Sequence, residues 1–260
     1  MDLKLKDKVV VITGATGGIG TALTKAFLDE GAKLALTSTR QAKLDKLMEE
    51  LGHPDPERVK GYVTDIRDEE QVKASIEKVV EDFGGIYAVV TNAGNNGKNI
   101  HVVDADLNYY KEVFDINFYG TIWVLKHALP HMIKEKKGAV VALGSSGSYV
   151  GSPGLSAYTS SKHAIAGLIK SVAKEVGPYG IHCNFLAPAA VDTDMMARIE
   201  KDMFGDTKTH EEAMALIAGG SIDKRYAKPE EVARAAVFLA SEVSAHTMGH
   251  GFRIDGGKYI

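Results

Sequence analysis

Two side chains one helical turn apart suggest the chemistry. Tyr158 and Lys162, in Tyr158-Thr159-Ser160-Ser161-Lys162, share one face of a helix predicted over 157–177. An ammonium held beside a phenol favours the phenolate, because an opposite charge stabilises the ionised form. Free Tyr ionises near pH 10, so a fall of about three units needs roughly 4 kcal/mol of differential interaction. A Tyr tuned in this way can give or take a proton near neutral pH. A nearby hydroxyl could hold the substrate oxygen. Ser145, thirteen residues upstream, is one candidate, and Ser146 is its rival, because consecutive side chains at a strand end point apart. Tyr-x-x-x-Lys alone also describes many ordinary helices.

A second feature gives the pair its weight. Val9-Val10-Val11-Ile12 reads as a buried strand and runs into Thr13-Gly14-Ala15-Thr16-Gly17-Gly18-Ile19-Gly20. A helical pattern over 18–30 follows. Glycines let backbone approach a ligand closely, and the free N–H groups of a helix start, with its dipole, suit a phosphate. Gly14, Gly18 and Gly20 are spaced one position wider at the front than the common dinucleotide fingerprint.

Gly14, Gly18, Gly20, Ser145, Tyr158 and Lys162 together resemble the short-chain dehydrogenase/reductase family, and the resemblance covers nearly the whole chain. It implies an NAD(P)-dependent oxidoreductase that interconverts a secondary alcohol and a ketone. Tyr158 would be the general acid/base, Lys162 its partner and a ligand of the nicotinamide ribose, and Ser145 the holder of the substrate oxygen. Asn117, in Asp115-Ile116-Asn117, would anchor a water linking Lys162 to solvent. The family's gap of about thirteen residues before the Tyr selects Ser145 over Ser146. The cofactor contacts it implies are Gly14, Thr16, Gly18, Ile19 and Gly20, then Asp65 (on the adenine) and Ile66, then Asn92, Ala93 and Gly94, then Tyr158 and Lys162. Pro188, Val191 and Thr193 complete them. Ala189 stands where the family usually has Gly, so an unusual shape is expected for that loop.

The second strand-like run ends Thr37-Ser38-Thr39-Arg40. NAD-specific relatives commonly carry an Asp where Ser38 stands, and its absence removes the main barrier to a 2′-phosphate. Ser38 and Thr39 offer hydroxyls and Arg40 a fixed charge, so NADP is favoured, with NAD as the alternative. Gly17 argues the other way, since many NADP-specific relatives have a basic residue there.

These residues must be positioned by alternating elements. Strand-like runs at Val9–Ile12, Lys33–Thr37, Val59–Val63, Tyr87–Thr91, Ala139–Leu143, Ile181–Leu186 and Gly251–Ile254 alternate with helical patterns near 18–30, 41–51, 69–83, 106–134, 157–177 and 229–240. Such alternation predicts a Rossmann-type, doubly wound α/β fold with a seven-stranded, mostly parallel sheet covered by helices on both faces. A cofactor crevice belongs at the carboxyl ends of the strands. Residues 1–260 read as one domain, with Thr193 to Tyr226 breaking the rhythm as a Met-rich lid or substrate wall.

Composition narrows the setting. Net charge is −3 with signs mixed, which gives no basic patch for nucleic acid or anionic membrane. No apolar stretch approaches the roughly 20 residues of a membrane span, and Met1 to Lys8 lacks a signal-peptide core. Cys183 is the only cysteine, which suits a reducing cytoplasm. The His127/His131 and His246/His250 pairs lack the following Glu of a zinc motif, so no metal is expected. The partner is a small alcohol or ketone, and Met residues of the lid with Tyr149 and Val150 favour an apolar, alicyclic or steroid-like one. A β-ketoacyl carrier-protein reductase, a sugar-alcohol dehydrogenase and a non-catalytic dinucleotide-binding sensor are the alternatives. The resemblance also implies a homotetramer, paired through 106–134 and 157–177 and through the C-terminal strand.

Overall fold

A computed structural model describes residues 2–260. Seven strands, β1 (Val9–Ile12), β2 (Lys33–Ser38), β3 (Val59–Val63), β4 (Ala88–Thr91), β5 (Gly138–Leu143), β6 (Ile181–Pro188) and β7 (Gly251–Ile254), form one sheet in the order β3-β2-β1-β4-β5-β6-β7. Every neighbouring pair is parallel. The expected sheet was mostly parallel; the one formed is parallel throughout.

The strands alternate side chains between two cores, as a period of two requires. Val10, Ile12, Leu34, Leu36, Val141 and Leu186 face one core, and Val9, Val11, Ala35, Val140, Cys183 and Phe185 face the other. The first core is closed by α1 (Gly18–Asp29), α2 (Gln41–Glu50) and α9 (Pro229–Ala240), through Leu23, Phe27, Leu44, Leu47, Val232 and Val237. The second is closed by α3 (Glu69–Phe83), α5 (Gly120–Glu135) and α6 (Ser156–Val176), through Val72, Ile76, Leu125, Met132, Ile165 and Ile169. A sheet buried on both faces explains why the strands read as continuous apolar runs.

Two segments depart from the predicted pattern. The helix expected over 106–134 runs without a gap from Leu107 to Glu135, but a π-helical turn at Asp115–Tyr119 separates α4 (Leu107–Phe114) from α5. Between β6 and α9 the Met-rich segment folds as α7 (Asp194–Phe204) and α8 (His210–Ile217), whose inner faces meet Tyr226 in a separate cluster of Met196, Ile199, Met214 and Ile217. The strand order reverses between β1 and β4, and the crevice opens at their carboxyl ends.

Candidate active site

The glycine turn opens the crevice. Gly14 has φ +61°, and a Cβ there would lie 2.8 Å from the Ala93 Cα, so only glycine fits without strain. A Cβ on Gly20 would collide with the Gly14 carbonyl and lie 2.8 Å from the Ala15 Cα, which lets helix and strand meet closely. Gly18 makes room for Thr193 across the cleft. No side chain caps α1 and no acidic residue sits in its first turn, so its N-terminal N–H groups are available to an anion. Asn92, Ala93 and Gly94 do more than line this cleft. The Asn92 amide donates to the carbonyls of Thr13 and Gly14, both at 3.0 Å, and the Ala93 N–H donates to the Thr13 hydroxyl at 3.0 Å. Thr13, which opens the glycine run in the sequence, thus helps hold the turn.

An open cleft of about 690 Å³ extends from there. Gly14, Thr16, Gly18, Ile19 and Gly20 line it, as do Ser38, Thr39, Asp65, Ile66, Asn92, Ala93, Gly94 and Thr193. Ser38 is buried, and its hydroxyl bonds that of Thr16 at 2.9 Å. Asp65 is held by Arg67, whose Nε donates to it at 2.9 Å and whose backbone N–H does so at 3.0 Å. That pairing keeps the Asp65 carboxyl below the usual carboxylate range. Arg40 does not join this lining; it is exposed at the N-terminal boundary of α2, and Lys43 lines the cleft instead. Helical side chains lean towards the N-terminus, so a residue in the first turn covers the helix start. That lean is the signal by which Lys43 could have been found.

A narrower pocket of about 130 Å³ adjoins the cleft, with Ser145, Tyr158 and Lys162 on its wall. Ser145 follows β5 and begins a short 3-10 turn, where its Oγ accepts from the Gly147 N–H at 3.1 Å. Ser146 is absent from the pocket wall. Tyr158 and Lys162 rise from the first two turns of α6.

Burial adds to the electrostatics expected from the Tyr–Lys spacing. Lys162 is 5% exposed and donates to the Leu143 carbonyl at 2.7 Å; its Nζ lies 5.7 Å from the Tyr158 ring centre. Burial pushes the Tyr158 phenol above its ordinary value, and a hydrogen bond with Ser145 works in the opposite direction. Burial also brings the Lys162 ammonium down to about 8. Burial works against the ionised form of both groups, which a helical spacing cannot reveal.

Asn117 sits in the π-helical turn and is 1% exposed. Its Oδ1 accepts from the Asn95 N–H at 2.8 Å, and its Nδ2 donates to the Asn95 carbonyl at 2.9 Å and to the Ser161 hydroxyl at 3.0 Å. The amide is thus spent on protein partners, next to Lys162: a Cβ on Gly94 would touch both Asn117 Oδ1 and Lys162 Nζ.

Much of the remaining lining is apolar. Leu143, Pro188, Ala189, Val191, Met195, Met196 and Ile199 contribute to it; Pro188, Val191 and Thr193 were expected as cofactor contacts and the Met residues as part of a substrate wall, while Leu143, Ala189 and Ile199 were not expected there. Thr193 caps α7, accepting from the Met196 N–H at 3.3 Å. Ala189 needs no glycine freedom: it is not among the residues with positive φ, and its N–H donates to the Ile254 carbonyl at 3.0 Å. The loop therefore keeps ordinary backbone. Tyr149 and Val150 do not reach the pocket; Tyr149 stacks on Phe185 at 5.9 Å beneath Arg253, and its hydroxyl donates to the Gly251 carbonyl.

Other candidates fall elsewhere. His127 bonds Glu69 at 3.2 Å, and among the described residues no group of three His, Cys, Asp or Glu side chains could hold a metal ion. Cys183 is buried in the sheet, and burial pushes its thiol up to about 12.

A glycine turn, an open dinucleotide-sized cleft and a Ser–Tyr–Lys wall at its end match one family's plan, and the comparisons agree. A family profile described as enoyl-(acyl carrier protein) reductase matches residues 14–258. The chain is 34% identical over 265 residues to zerumbone synthase of Zingiber zerumbet, covering 99% of this chain and 97% of that one. The chain belongs to the short-chain dehydrogenase/reductase family. It is therefore an oxidoreductase of alcohol and carbonyl groups that uses a nicotinamide cofactor. Another family relative, the 3-oxoacyl-[acyl-carrier-protein] reductase FabG of Thermotoga maritima, is 34% identical over 258 residues, with 99% and 100% of the two chains covered. Levodione reductase superposes with a TM-score of 0.92 at 32% identity, over 98% of each chain. Solved family structures include ElxO with NADP bound and an NAD+-bound xylitol dehydrogenase. Among the described residues, no helix of this family member is long and apolar enough to cross a membrane.

Proposed function

We propose that this protein reduces the ketone of a compact, largely apolar and alicyclic molecule, and oxidises the matching alcohol, with NADPH as the preferred cofactor. The observation that carries the reading is the pocket itself: Ser145, Tyr158 and Lys162 share its lining with Leu143, Val191, Met195, Met196 and Ile199. An alicyclic body suits the apolar lining, while its single oxygen meets the hydroxyl groups.

The residues present fit the cofactor. Gly14, Gly18 and Gly20 leave a cradle that side chains would fill, and the uncapped start of α1 offers N–H groups to a pyrophosphate. When bound, the nicotinamide supplies or accepts the hydride. Tyr158 delivers its phenolic proton to the carbonyl oxygen in reduction and takes the hydroxyl proton in oxidation. Ser145 donates to the same oxygen and stabilises its developing charge. An ammonium has three donors; Lys162 spends one on Leu143 and keeps two for ribose hydroxyls and Tyr158. Asn117 holds the backbone of Asn95 beside them. The segment 193–226 serves as the lid over this pocket within one domain.

For the adenosine end, Ser38 and Thr39 supply hydroxyls and Lys43 a cation, with no Asp at position 38 to repel a 2′-phosphate. NADH is the alternative. Ser38→Asp is expected to move kcat/KM towards NADH by tenfold or more, about 1.4 kcal/mol; a wild type that already prefers NADH tenfold would overturn the NADPH assignment.

The test of the whole reading is a panel of alicyclic, sugar-derived and β-ketoacyl carbonyl compounds, followed by loss of reduced nicotinamide. Turnover confined to β-ketoacyl thioesters would favour the second reading, a carrier-protein reductase, which the match to the Thermotoga maritima FabG supports. Cofactor binding with no turnover across the panel would favour a sensor. The protein is a homotetramer in the cytoplasm on this reading, with α4–α6 and the exposed β7 edge as its contacts.

A further inference from the structure

The two catalytic elements are joined by a side chain that lies outside the lining of the pocket and the cleft. Ser148, the last residue of the 3-10 turn after Ser145, is 5% exposed. Its Oγ donates to the main-chain carbonyl of Lys162 at 2.8 Å and accepts from the Ser145 N–H at 3.3 Å. One hydroxyl therefore bridges the turn that presents Ser145 and the helix that presents Tyr158 and Lys162. The turn has little other freedom. A Cβ on Gly144 would lie 2.8 Å from both the Ser148 Oγ and the Leu186 carbonyl, so the chain is packed tightly between β6 and its own turn at this point.

We propose that Ser148 is a positioning residue for the proton transfer: its hydroxyl sets the distance between the Ser145 hydroxyl and the Tyr158 phenol. The inference rests on the catalytic roles given above to Ser145 and Tyr158. A hydroxyl has one proton to give, and here it is given to a backbone carbonyl in a fixed direction, so the bridge fixes orientation as well as distance. The Ser145 Oγ must stay within bonding reach of Tyr158 while also accepting from Gly147. A misplacement near 1 Å in such an arrangement costs on the order of 10²-fold in rate. The plain alternative is that Ser148 only completes the capping of a short turn, in which case its loss lowers stability and leaves the chemistry intact.

The two roles separate by measurement on the full-length protein. Ser148→Ala is expected to lower kcat for ketone reduction tenfold or more, with NADPH affinity within twofold of wild type by fluorescence titration. In alcohol oxidation, the pH at which kcat/KM reaches half its plateau should move upward, in the direction Ser145→Ala moves it, because the hydrogen bond that favours the phenolate is weakened. In a Ser145→Ala background, adding Ser148→Ala should cost less than a further twofold, since nothing is left to align. Ser148→Cys, which keeps the size but donates weakly, should fall between wild type and Ser148→Ala and guards against a folding defect. A Ser148→Ala protein that keeps more than half its kcat, or loses the same factor in both backgrounds, or shows a lowered Tm with an unshifted pH profile, overturns the proposal. If Ser145→Ala and Tyr158→Phe themselves retain wild-type turnover, the catalytic reading fails and the bridge falls with it. If both lose turnover while Ser148→Ala behaves as wild type, only the bridge is wrong.

Discussion

At the scale of single residues, burial sets the terms for Tyr158 and Lys162. Tyr158→Phe keeps the ring and removes the group that moves the proton, so kcat should fall far more than tenfold while NADPH affinity stays within about twofold. Steady-state kinetics with a cofactor titration checks this, and more than a tenth of wild-type kcat would refute the role. Lys162 makes a prediction of opposite sign for stability. Its folded pKa is about 8, below the ordinary Lys value, so the unfolded chain binds more protons between about pH 8 and 10.5. Stability should therefore rise with pH through that window, and below it the fold carries the full cost of burying the ammonium. Lys162→Met removes that cost, on the order of 2–3 kcal/mol from the size of the shift. The variant should be inactive yet melt no lower than wild type at pH 7, with the difference shrinking by pH 10. Thermal melts across that range provide the check, and a variant several degrees less stable at pH 7 would contradict it.

At the scale of elements, α7 is the piece most exposed to adjustment. It reaches the pocket through Met195, Met196 and Ile199, and its start is fixed by the Thr193 cap, which also packs against Gly18. Losing such a cap costs about 1 kcal/mol locally. Thr193→Ala should raise KM for the ketone several-fold, change kcat less, and speed amide exchange across 194–204. Thr193→Ser keeps the hydroxyl and should retain the slow exchange. Equal exchange in Thr193→Ala and wild type would show that the cap does not hold α7. The π-helical turn at Asp115–Tyr119 is the other adjusted element. It carries Asn117, whose amide bonds Asn95 and Ser161.

At the scale of the whole molecule, the exposed apolar side chains have a pattern. Phe252 on the β7 edge, Met248 before it, Val243 and the C-terminal Ile260 are all exposed. A short edge strand flanked by apolar side chains is suited to pairing with another copy. Two isologous contacts on one chain close a tetramer, so light scattering at micromolar concentration should give four times the 27.9 kDa chain mass. Phe252→Asp should reduce it to dimers while the α4–α6 contact survives. A monomeric wild type would refute both contacts.

The sequence alone determined the order of elements, because buried strands must be apolar and helices must be amphipathic, and these periods are written locally. It determined the glycine turn for the same reason: Gly14 needs positive φ and Gly20 close approach, and both constraints act on the residue itself. It also placed Ser145, Tyr158 and Lys162, though only their meeting on one pocket wall tied their spacing to a site. What it could not fix depends on partners distant along the chain. Lys43 rather than Arg40 faces the cleft because of how α2 starts, and Tyr149 turns away because Phe185 and Arg253 offer it a stack. The electrostatic setting of Tyr158 and Lys162 has the same origin. Helical spacing fixes that Lys162 is near Tyr158, but the Leu143 carbonyl that accepts its hydrogen bond, and the burial that shifts both groups, exist only once β5, α6 and the π-helical turn have packed together.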